Sequence, residues 1–258
     1  MKSVAAALGL LVLTACGGSS APAATSLTPS GPPSNATASQ PITVFAAASL
    51  KEVFTELGKE FRSSHPGAVV TFSFAGSQTL VAQIQQGAPA DLLATADAAS
   101  ATAVATKLVG PPTILARNQL AIVVAPGNPL RLTTLADLAK PSVKVVLAGP
   151  TVPAGKAARK ALLAAGVTVK QVSDEPDVKA VVAKVRLGEA DAGIAYVTDA
   201  LAAKGAVTGI DLPGISNVYP AALLKAATHV TTATEFLAFL VSPAGQAVFR
   251  SYGFLPAA

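Results

Sequence analysis

Residues 42–52, ITVFAAASLKE, decide the fold of this chain of 258 residues. The stretch opens with apolar and β-branched residues, which predict a short strand over residues 42–46. Apolar residues then recur at helical spacing at five positions, Leu50, Val53, Phe54, Leu57 and Phe61. Ser49 and Glu52 also match the capping-box pattern that begins many helices. The stretch therefore predicts a strand that leads directly into an amphipathic helix, with Ser49 at the junction.

The same strand-to-helix unit recurs along the rest of the chain. Residues 69–80, VVTFSFAGSQTL, predict a second strand and place Ser77 at the start of the next helix. The continuous apolar runs LAIVVA (120–125) and VKVVLA (143–148) are typical of strands in a parallel sheet. Further strands are predicted over 91–96 and 192–197. One further helix is predicted with Asp97 as its cap, and others from Pro153, from Pro176 or Asp177, over 232–240 and over 243–252. This alternation predicts an α/β fold with parallel-rich sheets flanked by helices.

Ser49 and Ser77 each follow a strand and begin a helix. In a parallel sheet such turns converge at the carboxyl edge of the strands. The unpaired backbone N–H groups and positive ends of two helices there favour an anion. The alternative interpretation is that both serines cap their helices and do nothing else.

The first 40 residues have the composition of an export and anchoring segment. Residues 1–15 combine a positive start with an apolar run over residues 4–13 that is too short to span a bilayer, which predicts a signal peptide. Leu13-Thr14-Ala15-Cys16 resembles a bacterial lipobox, so we expect cleavage before Cys16 and acylation of its thiol. Residues 17–40 are rich in Gly, Ser, Ala, Thr and Pro and predict a flexible tether. We therefore expect a protein that is lipid-anchored to the cell membrane on its extracytoplasmic face.

Composition and motifs favour a binding protein over an enzyme or a nucleic-acid partner. The formal charge is +5, but the 19 Lys and Arg residues are scattered and aromatic residues make up only 5%, whereas nucleic-acid binding needs a clustered basic face. His65 and His229 belong to no spaced set of metal ligands, and no nucleophile or phosphate-loop motif occurs. Two alternatives stay open: a lipoprotein hydrolase with Ser49 or Ser77 as nucleophile and one histidine as base, and a lipoprotein that binds other proteins.

Six short segments, in order over residues 41–258, resemble the periplasmic molybdate-binding proteins of ABC importers. They are ITVFAAASL (42–50), FAGSQTL (74–80), GAPADL (87–92), VPAG (152–155), GIAY (193–196) and YGF (252–254). The resemblance implies a two-lobed periplasmic-binding-protein fold of type II, with residues 41–119 plus 221–258 in the first lobe and 120–220 in the second. It also implies two hinge crossings, near 120–125 and 217–221, and a monomer without a cofactor that delivers its ligand to a membrane permease and its ATPase.

The resemblance also implies a ligand site shared by both lobes. Its members donate hydrogen bonds through side-chain hydroxyls, backbone N–H groups or both, and they are Ser49, Ser77, Ala154, Val178 and Tyr196. Molybdate near neutral pH is a dianion whose oxygens only accept hydrogen bonds, whereas phosphate keeps a proton and requires an acceptor. We therefore expect molybdate to be held as an oxyanion with no direct protein–metal bond, and we expect Asp174, Glu175 and Asp177 to turn outward.

Other ligands remain possible on the same fold. Tungstate has nearly the same shape and charge as molybdate, so we expect it to bind as well. Sulfate and thiosulfate are the main alternatives, because the size of the cavity decides between these anions. A ferric ion is less favoured, since Tyr196, Tyr219 and Tyr252 are dispersed along the sequence.

Overall fold

The computed structural model describes residues 40–257; the signal peptide, Cys16 and all of the predicted tether except Gln40 lie outside the described residues. The strands are β1 (Ile42–Ala47), β2 (Val70–Ala75), β3 (Leu92–Ala94), β4 (Thr113–Val124), β5 (Val145–Ala148), β6 (Gln171–Glu175), β7 (Ala192–Tyr196) and β8 (Thr208–Leu223). The helices are α1 (Lys51–Ser64), α2 (Ser77–Gln85), α3 (Ala98–Thr102), α4 (Pro153–Ala164), α5 (Val178–Arg186), α6 (Val197–Ala202), α7 (Val230–Val241) and α8 (Pro243–Ser251). The predicted α/β class is confirmed.

The eight strands form one sheet in the order β2-β1-β3-β8-β4-β7-β5-β6. β1 pairs in parallel with β2 and β3, and β5 pairs in parallel with β6 and β7. β4 pairs antiparallel with both β7 and β8. The prediction that residues 120–125 lie in a parallel sheet is therefore wrong, because a continuous apolar run reports burial on both faces and not strand direction.

The first strand-to-helix unit forms as the apolar pattern predicts, but its junction differs. All five residues of the predicted apolar stripe of α1 are buried. Between β1 and α1 lies a single 3₁₀ turn, Ala48–Leu50, and the residue before α1 is Leu50. No side chain caps α1, so the predicted capping box of Ser49 and Glu52 is wrong. Asp97, in contrast, caps α3 as predicted, because its carboxylate accepts a hydrogen bond from the Ser100 N–H at 2.8 Å.

The buried side chains separate into two groups along the chain. One hydrophobic core consists wholly of residues between Leu120 and Leu212, which we call the middle core. The other buried clusters combine residues from 42–116 with residues from 219–254, and together we call them the outer core. The two ends of the described chain therefore pack together, while the middle of the chain packs separately.

Strands β4 and β8 are the long strands that connect the two cores. Their pairing runs from Thr113 and Ala221, at the outer core, to Val124 and Thr208, at the edge of the middle core. Their register shifts at an irregularity between Gln119 and Ala121, next to the pair formed by Asn118 and Asn217. Within residues 40–257, none of the helices is long and apolar enough to cross a bilayer.

Candidate functional site

A small cavity lies between elements of the two cores, with a volume of about 10 Å³. It is lined by twelve residues, most of them small: Ala47, Ala48, Ser49, Gly76, Ser77, Ala96, Val152, Pro153, Ala154, Asp177, Val178 and Tyr196. All five predicted site residues are among them. This volume is far below the roughly 300–1,000 Å³ typical of pockets for drug-sized ligands, so the cavity excludes ligands of that size and suits one of a few atoms at most.

Three α-helices begin at this cavity. Ser77 is the first residue of α2, Ala154 lies in the first turn of α4, and Val178 is the first residue of α5. The first four N–H groups of an α-helix have no acceptor within the helix. The helix dipole adds a partial positive charge at the same end. The walls of the cavity therefore offer hydrogen-bond donors and a positive potential without a lysine or arginine among the lining residues.

Ser49 is buried in the 3₁₀ turn after β1, and its side chain is held by a residue distant in the sequence. Its hydroxyl oxygen lies 3.0 Å from the phenolic oxygen of Tyr219, a fully buried residue of β8. Burial raises the pKa of Tyr219 above its usual range, so this phenol keeps its proton. The Ser49 side chain is thus positioned by a tertiary hydrogen bond and does not cap a helix.

The hydroxyl oxygen of Ser77 accepts a hydrogen bond from the backbone. The backbone N–H of Ala96 donates to the Ser77 Oγ at 3.0 Å. Because that contact occupies an acceptor position of the oxygen, the Ser77 hydroxyl hydrogen remains available as a donor. The alternative interpretation of Ser77 as a cap is wrong as well, because the residue before α2 is Gly76 and no side chain caps this helix.

Tyr196 ends strand β7 and is 1% exposed. The side-chain amide of Asn217 donates to its phenolic oxygen at 2.6 Å. Burial is the main reason that the pKa of Tyr196 lies well above its usual range, so the hydroxyl is protonated at any physiological pH. Tyr196 therefore brings a permanent O–H donor to the cavity.

The three acidic residues before α5 do not all turn outward. Asp174 is exposed and pairs with Arg159 at 2.5 Å, as expected. Glu175 is buried, and its carboxylate accepts a hydrogen bond from the Ser173 hydroxyl at 2.6 Å. Asp177 lines the cavity, and its carboxylate accepts the Ala180 N–H at 3.0 Å as the cap of α5. The prediction is wrong for Glu175, whose side chain is buried and hydrogen-bonded to Ser173.

A charge cluster around the buried Asp199 lies beside the cavity. The Lys179 ammonium is 2.9 Å from the Asp199 carboxylate and 2.6 Å from the Glu52 carboxylate. Asp199 is buried, and it also accepts the backbone N–H of Tyr196 at 3.3 Å. Burial lowers the pKa of Lys179, but the two carboxylates outweigh that effect and the net pKa is raised. Lys179 therefore stays charged and joins α5 to α1.

Two further polar contacts connect elements of the two cores. The Lys156 ammonium of α4 lies 3.2 Å from the Asp97 carboxylate. The Gln78 side-chain amide donates to the Pro176 carbonyl at 2.9 Å. A Cβ atom at Gly76 would lie 2.7 Å from that same carbonyl, so a glycine is needed for the two loops to approach. These contacts hold the walls of the cavity close together.

The residues required for the alternatives are placed elsewhere. His65 stacks on Phe61 with ring centroids 4.0 Å apart, and His229 lies beside Thr228 and Asp91. Among residues 40–257, neither Ser49 nor Ser77 hydrogen-bonds a histidine, so a serine nucleophile with its base is not assembled. The same residues contain no group of three His, Cys, Asp or Glu side chains able to hold a metal ion.

The tyrosines are closer in space than their sequence positions indicate. The rings of Tyr196 and Tyr219 meet edge to face with centroids 6.1 Å apart. Only Tyr196 lines the cavity, however, because the Tyr219 hydroxyl bonds Ser49. The dispersal of the tyrosines along the sequence therefore does not keep their rings apart. The two hydroxyls nevertheless have different partners, Asn217 and Ser49, and do not form a pair that could bind a ferric ion together.

Sequence reasoning missed the side chains that hold the site residues. The sequence pattern indicates only that Asn217 lies in a hinge crossing and that Tyr219 is one of three dispersed tyrosines. Lys179 carried a signal, since a lysine in the first turn of a helix opposes the dipole and needs a compensating partner. Asp199 also carried a sequence signal, because an acidic residue three positions after Tyr196 is typical of the start of a helix.

Comparisons with known proteins agree on one family. Residues 42–255 match the family model described as "Bacterial extracellular solute-binding protein". The molybdate-binding protein ModA of Mycobacterium tuberculosis strain H37Rv is 42% identical over 94% of this chain and 92% of its own length.

Two solved structures are 20% identical, a likeness that shows the fold alone. The sulfate-binding protein SubI of M. tuberculosis has a TM-score of 0.74 over 84% of this chain and 86% of its own, and a periplasmic molybdate-binding protein of Azotobacter vinelandii has 0.71 over 83% and 98%.

Proposed function

The chain belongs to the bacterial extracellular solute-binding proteins, and we propose on this premise that it is the molybdate-capturing component of an ABC importer. The observation that carries the proposal is the cavity, where three helix N-termini and three hydroxyl side chains meet. A relative that is 42% identical is named a molybdate-binding protein. The protein binds its ligand and passes it on without catalysing a reaction.

The proposed ligand contacts are the five residues that the resemblance implied. Ser49 and Ser77 donate from their hydroxyls and backbone N–H groups, Ala154 and Val178 from backbone N–H groups, and Tyr196 from its phenol. Their common position around one small cavity supports this assignment. Asp177 also lines the cavity, but its carboxylate accepts a hydrogen bond from a backbone N–H of α5 and lies at the positive end of that helix.

Neutral donors suffice to hold a dianion in this position. Hydrogen bonds to a charged group contribute about 1.5–3 kcal/mol each. Six or seven such bonds outweigh the desolvation of the anion without a paired lysine or arginine. A fully deprotonated oxyanion is favoured, because the three hydroxyls and the helix N-termini present hydrogens to the ligand. Tungstate has the same charge and nearly the same shape, and it binds in the same way.

The proposed architecture has two lobes that close on the ligand. The first lobe comprises residues 41–119 and 221–258, and the second comprises 120–220. The separation of the buried residues into a middle core and an outer core supports this division. The hinge lies where β4 and β8 pass from one core to the other, and closure about such a hinge is a common response to ligand.

The remaining proposals concern the location and partners of the protein. Cleavage before Cys16 and acylation of its thiol anchor the protein as a monomer on the extracytoplasmic face of the cell membrane. The lipobox-like residues Leu13 to Cys16 and the apolar run before them support this anchoring. The closed form delivers molybdate to a membrane permease that is driven by a cytoplasmic ATPase.

Calorimetric titration of the purified protein tests the proposal. Sodium molybdate and sodium tungstate are expected to bind tightly with one ion per chain, and phosphate is expected not to compete. Sulfate is the decisive comparison, since it has the same charge and shorter bonds. Tight binding of sulfate with none of molybdate would reassign the ligand.

A further inference from the structure

Asn217 stands behind the site, at the point where β8 passes between the two cores. Its side-chain nitrogen lies 2.6 Å from the phenolic oxygen of Tyr196 and 2.9 Å from the backbone carbonyl oxygen of Ala96. Asn217 is paired in the sheet with Asn118 of β4. It therefore touches both Tyr196 and the loop that supports Ser77.

The orientation of the Asn217 amide is fixed by its second contact. A carbonyl oxygen can only accept a hydrogen bond, so the atom that faces Ala96 must be the nitrogen. The same nitrogen has a second hydrogen, which is directed to the Tyr196 oxygen. Tyr196 consequently accepts from Asn217, and its own hydroxyl hydrogen is free to point elsewhere.

A chain of hydrogen bonds connects Asn217 through Ala96 to the hydroxyl of Ser77. The Ala96 carbonyl accepts from Asn217, while the Ala96 N–H donates to the Ser77 oxygen at 3.0 Å. The hydroxyl oxygens of Tyr196 and Ser77 thus each accept a hydrogen bond, from Asn217 and from Ala96 respectively. Both hydroxyl hydrogens are left for the cavity that the two residues line.

We propose that Asn217 is a positioning residue that fixes Tyr196 as a hydrogen-bond donor to the bound oxyanion. This inference rests on the proposed function and adds the group that sets the direction of the hydroxyl. Without Asn217 the Tyr196 oxygen loses the donor that occupies it, and its hydroxyl can rotate away from the cavity. With Asn217 in place the cavity rejects ligands that must donate a proton at this position.

A double-mutant cycle measured by calorimetry with sodium molybdate tests the role of Asn217. Asn217→Ala is expected to weaken molybdate binding about three- to tenfold, and Tyr196→Phe about tenfold or more. Since Asn217 acts through the hydroxyl that Tyr196→Phe removes, the double variant is expected to bind as the Tyr196→Phe variant does. Ser216→Ala, a change at the neighbouring exposed position of β8, is the matched control and should not alter binding.

A second variant, Asn217→Asp, tests the same role in case Asn217→Ala does not fold. Asn217→Asp keeps the shape of the side chain but replaces the donor by an acceptor, which draws the Tyr196 hydroxyl hydrogen away from the cavity. Its effect is expected to be larger in the wild-type background than in the Tyr196→Phe background. The comparison separates the direction of the hydroxyl from the added charge, because the charge is present in both.

The outcomes distinguish the inference from the function on which it rests. Losses that multiply in the double variant, or an Asn217→Asp effect that is equal in both backgrounds, would refute the role of Asn217 while the wild type still binds molybdate. A wild-type protein that does not bind molybdate would refute the proposed function and the inference together.

Discussion

The Lys179 ammonium lies 2.6 Å from the Glu52 carboxylate, and this ion pair joins α5 of the middle core to α1 of the outer core. Lys179 is also held by the buried Asp199, whose other oxygen accepts the Tyr196 N–H. The pair therefore connects a helix start on one side of the cavity with the strand that carries Tyr196 and with the helix that follows Ser49.

Removing the Glu52 charge is expected to weaken ligand binding with little effect on folding. Glu52→Gln retains the pair between Lys179 and Asp199 and loses only the contact between the two cores. Because both partners are partly exposed to solvent, the loss is expected to be about 0.5–1 kcal/mol, or two- to fivefold in affinity. Calorimetry with molybdate at low and high salt measures it.

The matched control for this prediction is Glu56→Gln. Glu56 lies one turn further along α1 and pairs with Lys59 of the same helix. Equal effects of the two changes on molybdate binding would show that the contact between the cores does not favour the closed form.

Tyr196→Phe is expected to reduce affinity for molybdate about tenfold or more, since one hydrogen bond to a charged ligand is lost. The ring remains in its place at the end of β7, so the free energy of unfolding should fall by about 1 kcal/mol or less. Calorimetry and thermal unfolding measure the two quantities. Tyr252→Phe at the end of α8 is the control, and a large loss of stability in Tyr196→Phe would identify this tyrosine as structural.

Gly155→Ala is expected to disturb the start of α4 and with it the Ala154 N–H. A Cβ atom at Gly155 would lie 2.1 Å from the Gly149 carbonyl oxygen and 2.3 Å from that of Ala148. These are backbone atoms that cannot rotate away, so we expect a loss of about 2 kcal/mol or more in stability together with weaker binding. Chemical denaturation and calorimetry test both effects.

Gly149→Ala is a control within the same turn. Its added Cβ would meet the nearest atoms at 3.6 Å, an ordinary contact, and the glycine is not in a left-handed conformation. Similar losses for the two glycine variants would contradict the explanation by close packing of α4 on the end of β5.

Affinity for molybdate is expected to be constant from about pH 6.5 to pH 9. An ordinary tyrosine loses its proton near pH 10, and burial raises the pKa of Tyr196 further. Its donor form therefore persists throughout this range and is lost only at more alkaline pH. Lys179, whose pKa is also raised, stays charged over the same range. Calorimetry across the range measures the profile, and a transition centred near pH 7 would show that a histidine or carboxylate controls binding.

Much of the fold was predictable because burial follows a simple period. The apolar stripe of α1 and the cap Asp97 are local patterns, and they form as expected. β6 was not predicted, because QVSDE is a polar strand at the edge of the sheet that pairs only with β5. The antiparallel direction of β4 could not be predicted either, since it depends on pairing with β7 and β8, which lie far along the chain.

The site residues could be located by sequence, but their supporting contacts could not. Ser49 bonds Tyr219, which is 170 positions away, and Tyr196 is oriented by Asn217 of another strand. A local pattern therefore assigned Ser49 to a helix cap that does not form. The position of the lining residues follows from strand and helix order, whereas the direction of each hydroxyl follows from tertiary packing.

A crystal structure of the protein with molybdate, with the molybdenum located by its anomalous scattering, tests the central claim most directly. The account predicts one peak in the cavity, with its oxygens within hydrogen-bonding distance of the hydroxyls of Ser49, Ser77 and Tyr196 and of the N–H groups of Ala154 and Val178. A peak elsewhere, or an anion held by lysine and arginine side chains while these hydroxyls face away, would contradict it.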